Sequence, residues 1–178
     1  MRIDPKDINK ILLPRLLTLI TCDDGIGGID AIPCDTIIPV SSNPSIVIVT
    51  INPSYKIFTN ILNRKDFVIN ILPKEYLNKI LSCFKNFPRG INKLEQVGLS
   101  YYSSEKVESK RVKEAKIWIE CKLSDKIKVG ENMLIFAEVV TIEVDESIVT
   151  GDKIDLNKLN PPIRISESDF SDFKKLIS

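Results

Sequence analysis

The chain has 178 residues, 43% hydrophobic and 28% charged, which is enough apolar material for one buried core and unlike a disordered or fibrous chain. Its net charge is +1 with acids and bases interleaved, so no broad basic field is available to attract nucleic acid or an anionic membrane. Histidine is absent, which excludes Ser-His and Cys-His catalysis and imidazole zinc sites and leaves carboxylates, amines, thiols or a bound cofactor to carry any chemistry.

The start, MRIDPKD, lacks the apolar stretch of a signal peptide, and no apolar run reaches the roughly 20 residues of a membrane span. Cys22, Cys34, Cys83 and Cys121 are widely spaced with no C-x-x-C pair. Reduced thiols in a cytoplasmic, single-domain protein spanning 1–178 are the expectation. Residues 16–21 (LLTLIT) read as a strand, ended by Cys22-Asp23-Asp24-Gly25 and the glycines Gly27 and Gly28. Two further strands are expected at 37–40 and 46–51 around the turn SSNPS, the second buried on both faces. Ser54 is placed to cap a short helix from about Tyr55 to Asn63, with Ile57, Ile61 and Leu62 on one side.

Residues 67–72 (FVINIL) form the next expected strand, and Pro73 opens a helix carrying Leu77, Ile80, Leu81 and Phe84. The stretch 84–99 reads as a loop with Lys85, Arg89 and Lys93, and the charged run 103–116 as a solvated connection. Then Ile117, Ile119, Cys121 and Leu123 alternate with Trp118, Glu120 and Lys122, and Val129-Gly130-Glu131-Asn132 turns the chain into MLIFAEVVTIEV. This is the strongest hairpin pattern in the sequence, with Trp118 expected to be half-exposed. PPIRI gives a last short strand, and 168–177 a capped helix with Phe170, Phe173, Leu176 and Ile177 facing inward. Many short strands and few helices indicate a β-barrel decorated with helices. Neither G-x-G-x-x-G nor G-x-x-x-x-G-K-[ST] occurs, so Rossmann and P-loop phosphate binding have no support.

Six motifs follow in order: LPRLLTLIT, IDAIPCDTIIPVSSNPSIVIVTI, SYKIFTNI, FVINIL, PRGINKLE and IWIECKLSDKIKVGENMLIFAEVVTIEVDE. Together, over 13–146, they resemble the flavin reductase-like, FMN-binding split-barrel family. The resemblance implies a mainly β fold with helices, an antiparallel split β-barrel of Greek-key type. It implies FMN, or FAD in its place, as cofactor, and NAD(P)H as a transient co-substrate passing electrons to an unknown acceptor. It also implies a homodimer with the flavin between subunits, no nucleic acid and no membrane as partners, and neither a metal nor an obligatory catalytic side chain. Pro33, Cys34, Asp35, Thr36 and Ile37 match the segment that offers backbone and small polar groups to the isoalloxazine and ribityl. Ser54, Tyr55 and Lys56, with Asn60 one turn on, match the phosphate side, and Arg89 and Lys93 are further phosphate candidates.

Each assignment has a plainer alternative. Asp35 and Thr36 suit a turn, Lys56 an exposed helical position, Arg89 and Lys93 solvated loop charges, and Cys34 a buried structural thiol. The chain also departs from the family pattern. Asp30 stands where many members carry Asn, Asp35 where a small polar residue is usual, and Gly130-Glu131-Asn132 where G-D-H is usual. Ala137-Glu138-Val139 replaces G-E-V, and Pro162-Ile163-Arg164-Ile165 is what remains of a terminal motif. These departures keep open a flavin-binding carrier without nicotinamide turnover.

Overall fold

The computed structural model describes residues 1–171. Its frame is a seven-stranded antiparallel sheet. The strands are β1 (Thr18–Asp23), β2 (Ile29–Cys34), β3 (Ile37–Ser42), β4 (Ser45–Ile51), β5 (Asp66–Ile71), β6 (Ile117–Val129) and β7 (Asn132–Val144). They lie in the order β2-β1-β5-β6-β7-β4-β3. The two edge strands, β2 and β3, are therefore consecutive in the chain and joined only by Asp35 and Thr36. So short a connection reaches about 10 Å. The sheet must curl until its edges meet at that corner, which makes it a split barrel. Irregular register between β6 and β7, at Phe136/Ala137 and Val139/Thr141, bends the long hairpin that forms the back of the curl.

Helix α1 (Lys56–Arg64) packs Ile57 and Ile61 against the inward residues Ile20, Ile32, Val49, Phe67, Ile69 and Ile135. Full burial of one such side chain stabilises by about 2 kcal/mol. A second core lies on the other face of β1 and β5. There Leu19, Val68, Leu72 and Trp118 are covered by α2 (Leu77–Ser82) and α3 (Lys93–Gln96). Strand β5 is consequently buried along its whole length.

The expectation of two-sided burial for 46–51 is corrected. In β4 only Val47, Val49 and Ile51 are buried, while Ile46, Ile48 and Thr50 are partly exposed, because among the described residues no helix covers that side. Ser54 does not cap α1. Tyr55 holds the N-cap position without a side-chain bond, and the Ser54 amide donates to Asn52 Oδ1 at 2.9 Å. Pro73 precedes a single 3-10 turn, Lys74–Tyr76, before α2 begins. The loop 84–99 contains α3, capped by Asn92, whose Oδ1 accepts from the Leu94 and Glu95 amides at 3.1 and 3.4 Å.

The run 103–116 is not a solvated connection. Buried Glu120 accepts from the Glu105 and Lys106 amides at 2.8 and 2.6 Å, and Asp66 from the Glu108 and Ser109 amides, both at 3.2 Å. Buried Arg111 lies 2.6 Å from Glu120, pairs with Glu143, and sits over the rings of Tyr102 and Trp118. The segment thus covers the outer face of β6. Trp118 is 6% exposed, with its Nε1 donating to the Val112 carbonyl at 2.7 Å, so the half-exposed placement is corrected too. Within the expected terminal helix, Phe170–Ser171 is a short strand against Ile163–Arg164. Phe173, Leu176 and Ile177 lie outside the described residues.

Candidate functional site

Asp35 and Thr36 belong to neither neighbouring ladder, since β2 ends at Cys34 and β3 starts at Ile37. The Thr36 carbonyl accepts from the Thr50 amide at 3.2 Å, which anchors the corner to β4. The Thr36 hydroxyl lies 3.4 Å from the Thr50 carbonyl and 3.7 Å from Cys34 Sγ. Burial pushes the Cys34 thiol well above its ordinary value against the opposing Thr36 amide and hydroxyl, so it stays protonated and unreactive at neutral pH.

Two spaces open beside this corner. One is a cleft of about 220 Å³ with residues 32–36 on one side and Tyr55, Phe84 and Asn132 on the other. The Tyr55 and Phe84 rings stand 6.5 Å apart at 44°. The other is a mainly apolar cavity of about 770 Å³, bordered by Leu12, Leu13, Ile37, Ile69 and Ile119 and sharing Asp35, Thr36 and Thr50 with the cleft. That volume lies within the range of small-molecule and cofactor sites, about 300–1,000 Å³.

The predicted residues fall into two groups. Pro33, Cys34, Asp35, Thr36 and Tyr55 line the cleft, and Ile37 lines the adjoining cavity. Ser54 lies in the turn before α1 and lines none of these spaces. Lys56, Asn60, Arg89 and Lys93 gather instead around Asp24 and Asp30 in a smaller crevice.

There the basic groups bind the protein itself. Lys93 Nζ contacts Asp30 Oδ1 at 2.7 Å and the Ala31 and Cys83 carbonyls at 2.9 and 3.2 Å, which occupies all three of its donors. Asn60 Nδ2 donates to the other Asp30 oxygen at 3.3 Å. Asp30 is thus the counter-ion of Lys93. Arg89 donates to the Asp24 carbonyl at 3.2 Å, and the Gly90 amide to the Asp24 carboxylate at 2.6 Å. Burial opposes ionisation of Asp24, but the amides of Gly90, Ile26 and Gly28 outweigh it and hold the carboxyl below its ordinary range. A Cβ at Gly28 would come within 2.4 Å of the Asp24 carboxylate, so this tie requires glycine. Lys56 is the exposed member, and its Nζ donates to the Phe87 carbonyl at 2.7 Å.

Sequence reading missed the surroundings of Asp35. Its Oδ2 lies 2.8 Å from Arg164 Nε and 3.4 Å from Arg15 Nε, so the carboxylate is held between two cations. No local pattern gives this away, because the arginines come from opposite ends of the chain. Among the described residues no cluster of three or more His, Cys, Asp or Glu is placed to hold a metal ion, and no helix is long and apolar enough to cross a membrane.

A curled antiparallel sheet whose edge corner fronts a cleft and an apolar cavity is a split barrel of the flavin reductase type. The chain belongs to the family of the flavin reductase like domain, whose model matches residues 11–155. A protein of Aquifex aeolicus is 28% identical over 144 residues, which cover 78% of this chain and 74% of that protein. Nitrilotriacetate monooxygenase component B from Bacillus cereus has the same fold, with a TM-score of 0.90 at 23% identity, covering 100% of this chain and 98% of the other. Flavoredoxin of Desulfovibrio vulgaris does too, with a TM-score of 0.88 at 20% identity, covering 100% and 96%.

Proposed function

We propose that this chain is an FMN-dependent, NAD(P)H-oxidising reductase whose flavin lies along residues 33–37. The observation that carries this reading is the convergence at the corner. Segments 32–36, 50–55 and the turn at Asn132, distant in sequence, meet around one cleft at the two-residue corner between β2 and β3. The donor set suits the group. Amides and the Thr36 hydroxyl at the corner match the polar edge of a flavin, Ile32, Ile51 and Phe84 match its rings, and the N-terminus of α1 beside Lys56 suits a phosphate. Bound there, a flavin supplies two-electron exchange with a nicotinamide. The protein's share is to hold the ring edge on the corner, exclude water with Tyr55 and Phe84, and keep Cys34 neutral. Asn132, where the family often has histidine, offers an amide that orients but does not carry a proton.

The apolar outer row formed by Ile38, Ile48 and Phe136 supports a homodimer as the working assembly. The absorption spectrum of the purified chain, with FMN added and then anaerobic NADH or NADPH, tests the proposal. Flavin binding with bleaching by a pyridine nucleotide is expected, and a protein that binds no flavin overturns it. Asn132 favours one second reading, a flavin carrier without nicotinamide turnover. Steady NAD(P)H oxidation excludes that reading.

A further inference from the structure

Beside the corner, two arginines share one carboxylate. The short strands Arg15–Leu16 and Ile163–Arg164 pair antiparallel with Arg15 directly opposite Arg164. Like charges at facing positions repel, so this register needs an anion between them. Asp35 is that anion, and the three side chains are largely withdrawn from water, Arg15 at 23%, Arg164 at 18% and Asp35 at 17% exposure. One guanidinium would balance Asp35; the second leaves the cluster with a surplus positive charge.

Among the described residues no other carboxylate pairs with either guanidinium. Arg15 Nη2 donates to the Asn9 carbonyl at 3.2 Å, and Arg164 Nη1 to the Glu167 carbonyl at 2.9 Å. The Glu167 carboxylate is 73% exposed and shares Lys10, 3.5 Å away, with Asp7, which lies 2.9 Å from the same ammonium. With five N–H groups on each guanidinium, these carbonyls and the shared Asp35 oxygen leave donors over among the described residues. A cavity of about 220 Å³ opens on the cluster, lined by Asn9, Ser166 and Glu167 besides the three charged groups and Thr36. Asp35 and Thr36 also line the corner cleft, so an anion held here has the rest of its molecule at that cleft.

We propose that Arg15 and Arg164, held on Asp35, dock an oxyanion, phosphate or carboxylate, of the small molecule that exchanges electrons at the corner cleft. The assignment of that molecule rests on the flavin reading above. Arginine suits the task because its planar fork meets phosphate or carboxylate with paired hydrogen bonds.

Calorimetric titration of inorganic pyrophosphate into the full-length, flavin-free chain at low salt tests the site. Saturable binding is expected, weakened about tenfold or more by Arg164→Gln, as for loss of a charge-assisted hydrogen bond. Asp35→Asn, which removes the competing anion, is expected to tighten binding, whereas a purely structural cluster gains nothing from it. Exposed Lys153→Gln is the charge control and leaves the affinity unchanged. If Arg164→Gln does not fold by circular dichroism, Arg164→Lys keeps the charge, loses the fork, and is expected to bind more weakly than wild type. ADP-ribose displacing pyrophosphate assigns the oxyanion to a pyridine dinucleotide, and benzoate displacing it assigns an acid-bearing electron acceptor. Absent pyrophosphate binding, or equal affinity in wild type and a folded Arg164 variant, overturns the site. FMN binding measured on the same preparation separates the two readings. Its absence beside intact pyrophosphate binding removes the flavin and leaves the anion site, and the reverse pattern removes the anion site alone.

Discussion

Lys93 and Lys56 border the same crevice but do different work, and substitution separates them. Lys93 is a buried strut, so Lys93→Met removes the cation paired with Asp30, at a cost of about 3 kcal/mol in urea unfolding. Flavin affinity of the folded fraction is expected to stay within about twofold, since no Lys93 donor is free for a ligand. Lys56 is exposed on the first turn of α1, so Lys56→Ala is expected to leave the unfolding midpoint unchanged and weaken FMN binding about tenfold by fluorescence quenching. The reverse pattern would return Lys93 to the phosphate. Motif order brought both lysines to notice, but it could not rank them. What decides is Asp30, more than sixty positions from Lys93, and a carboxylate that distant leaves no local trace. The same reason hid Arg15 and Arg164, whereas residues 33–37 came to notice only through the ordered motifs of the family resemblance, since the strand that precedes them, Ile29–Cys34, was not expected from its local pattern.

At the scale of elements, the alternation of apolar and polar residues in 117–123 and the turn at Gly130 located β6 and β7, although burial itself does not alternate there, since Trp118 and Glu120 are buried beneath the 103–116 segment. The run 103–116 was misread because its charges are satisfied by groups on other strands. Glu120 is the hub: fully buried, it holds Arg111 and two main-chain amides. Glu120→Gln is expected to cost about 3 kcal/mol, the penalty for breaking a buried pair. It should free the segment for tryptic cleavage near Lys106 and Lys110, and red-shift the emission of Trp118, the single tryptophan. A native-like spectrum and cleavage pattern would mean that the segment holds without Glu120. A second tie closes the segment's far end. The Lys116 ammonium, 2.6 Å away, and then the Ser147 hydroxyl and amide hold the Asp145 carboxyl down at about 2. Since this value lies below the ordinary 3.8, the contribution is present above about pH 4 and lost as pH falls towards 2. Asp145→Asn is therefore expected to lower stability at pH 7 by at most about 1 kcal/mol, given partial exposure, and to make no difference near pH 2. Thermal melts at both pH values check the sign.

For the whole molecule, the two-residue link between edge strands dictates the curl, but a curled sheet of this size still leaves one face bare. The row Ile38–Ile48–Phe136 crosses β3, β4 and β7 on the side away from the core, and Leu134 pairs with exposed Ile127 in the next row. Helices cover the outer faces of β1 and β5, and among the described residues none covers this one. The continuous β-branched run 46–51 gave a strand buried on both faces, and the second face was misjudged because apolar residues there suit an interface as well as a core. If a second copy covers it, charge placed there should split the assembly. Ile38→Lys combined with Ile127→Lys is expected to halve the mass measured by sedimentation, with the far-ultraviolet spectrum unchanged because both side chains are already exposed, Ile38 at 59% and Ile127 at 48%. The large cavity beside Thr36 shares Ile38 with this face, so a flavin lodged between subunits loses part of its wall when they part. FMN affinity is then expected to fall together with the mass. A half-mass protein that binds FMN as tightly as wild type would place the whole flavin site within one chain.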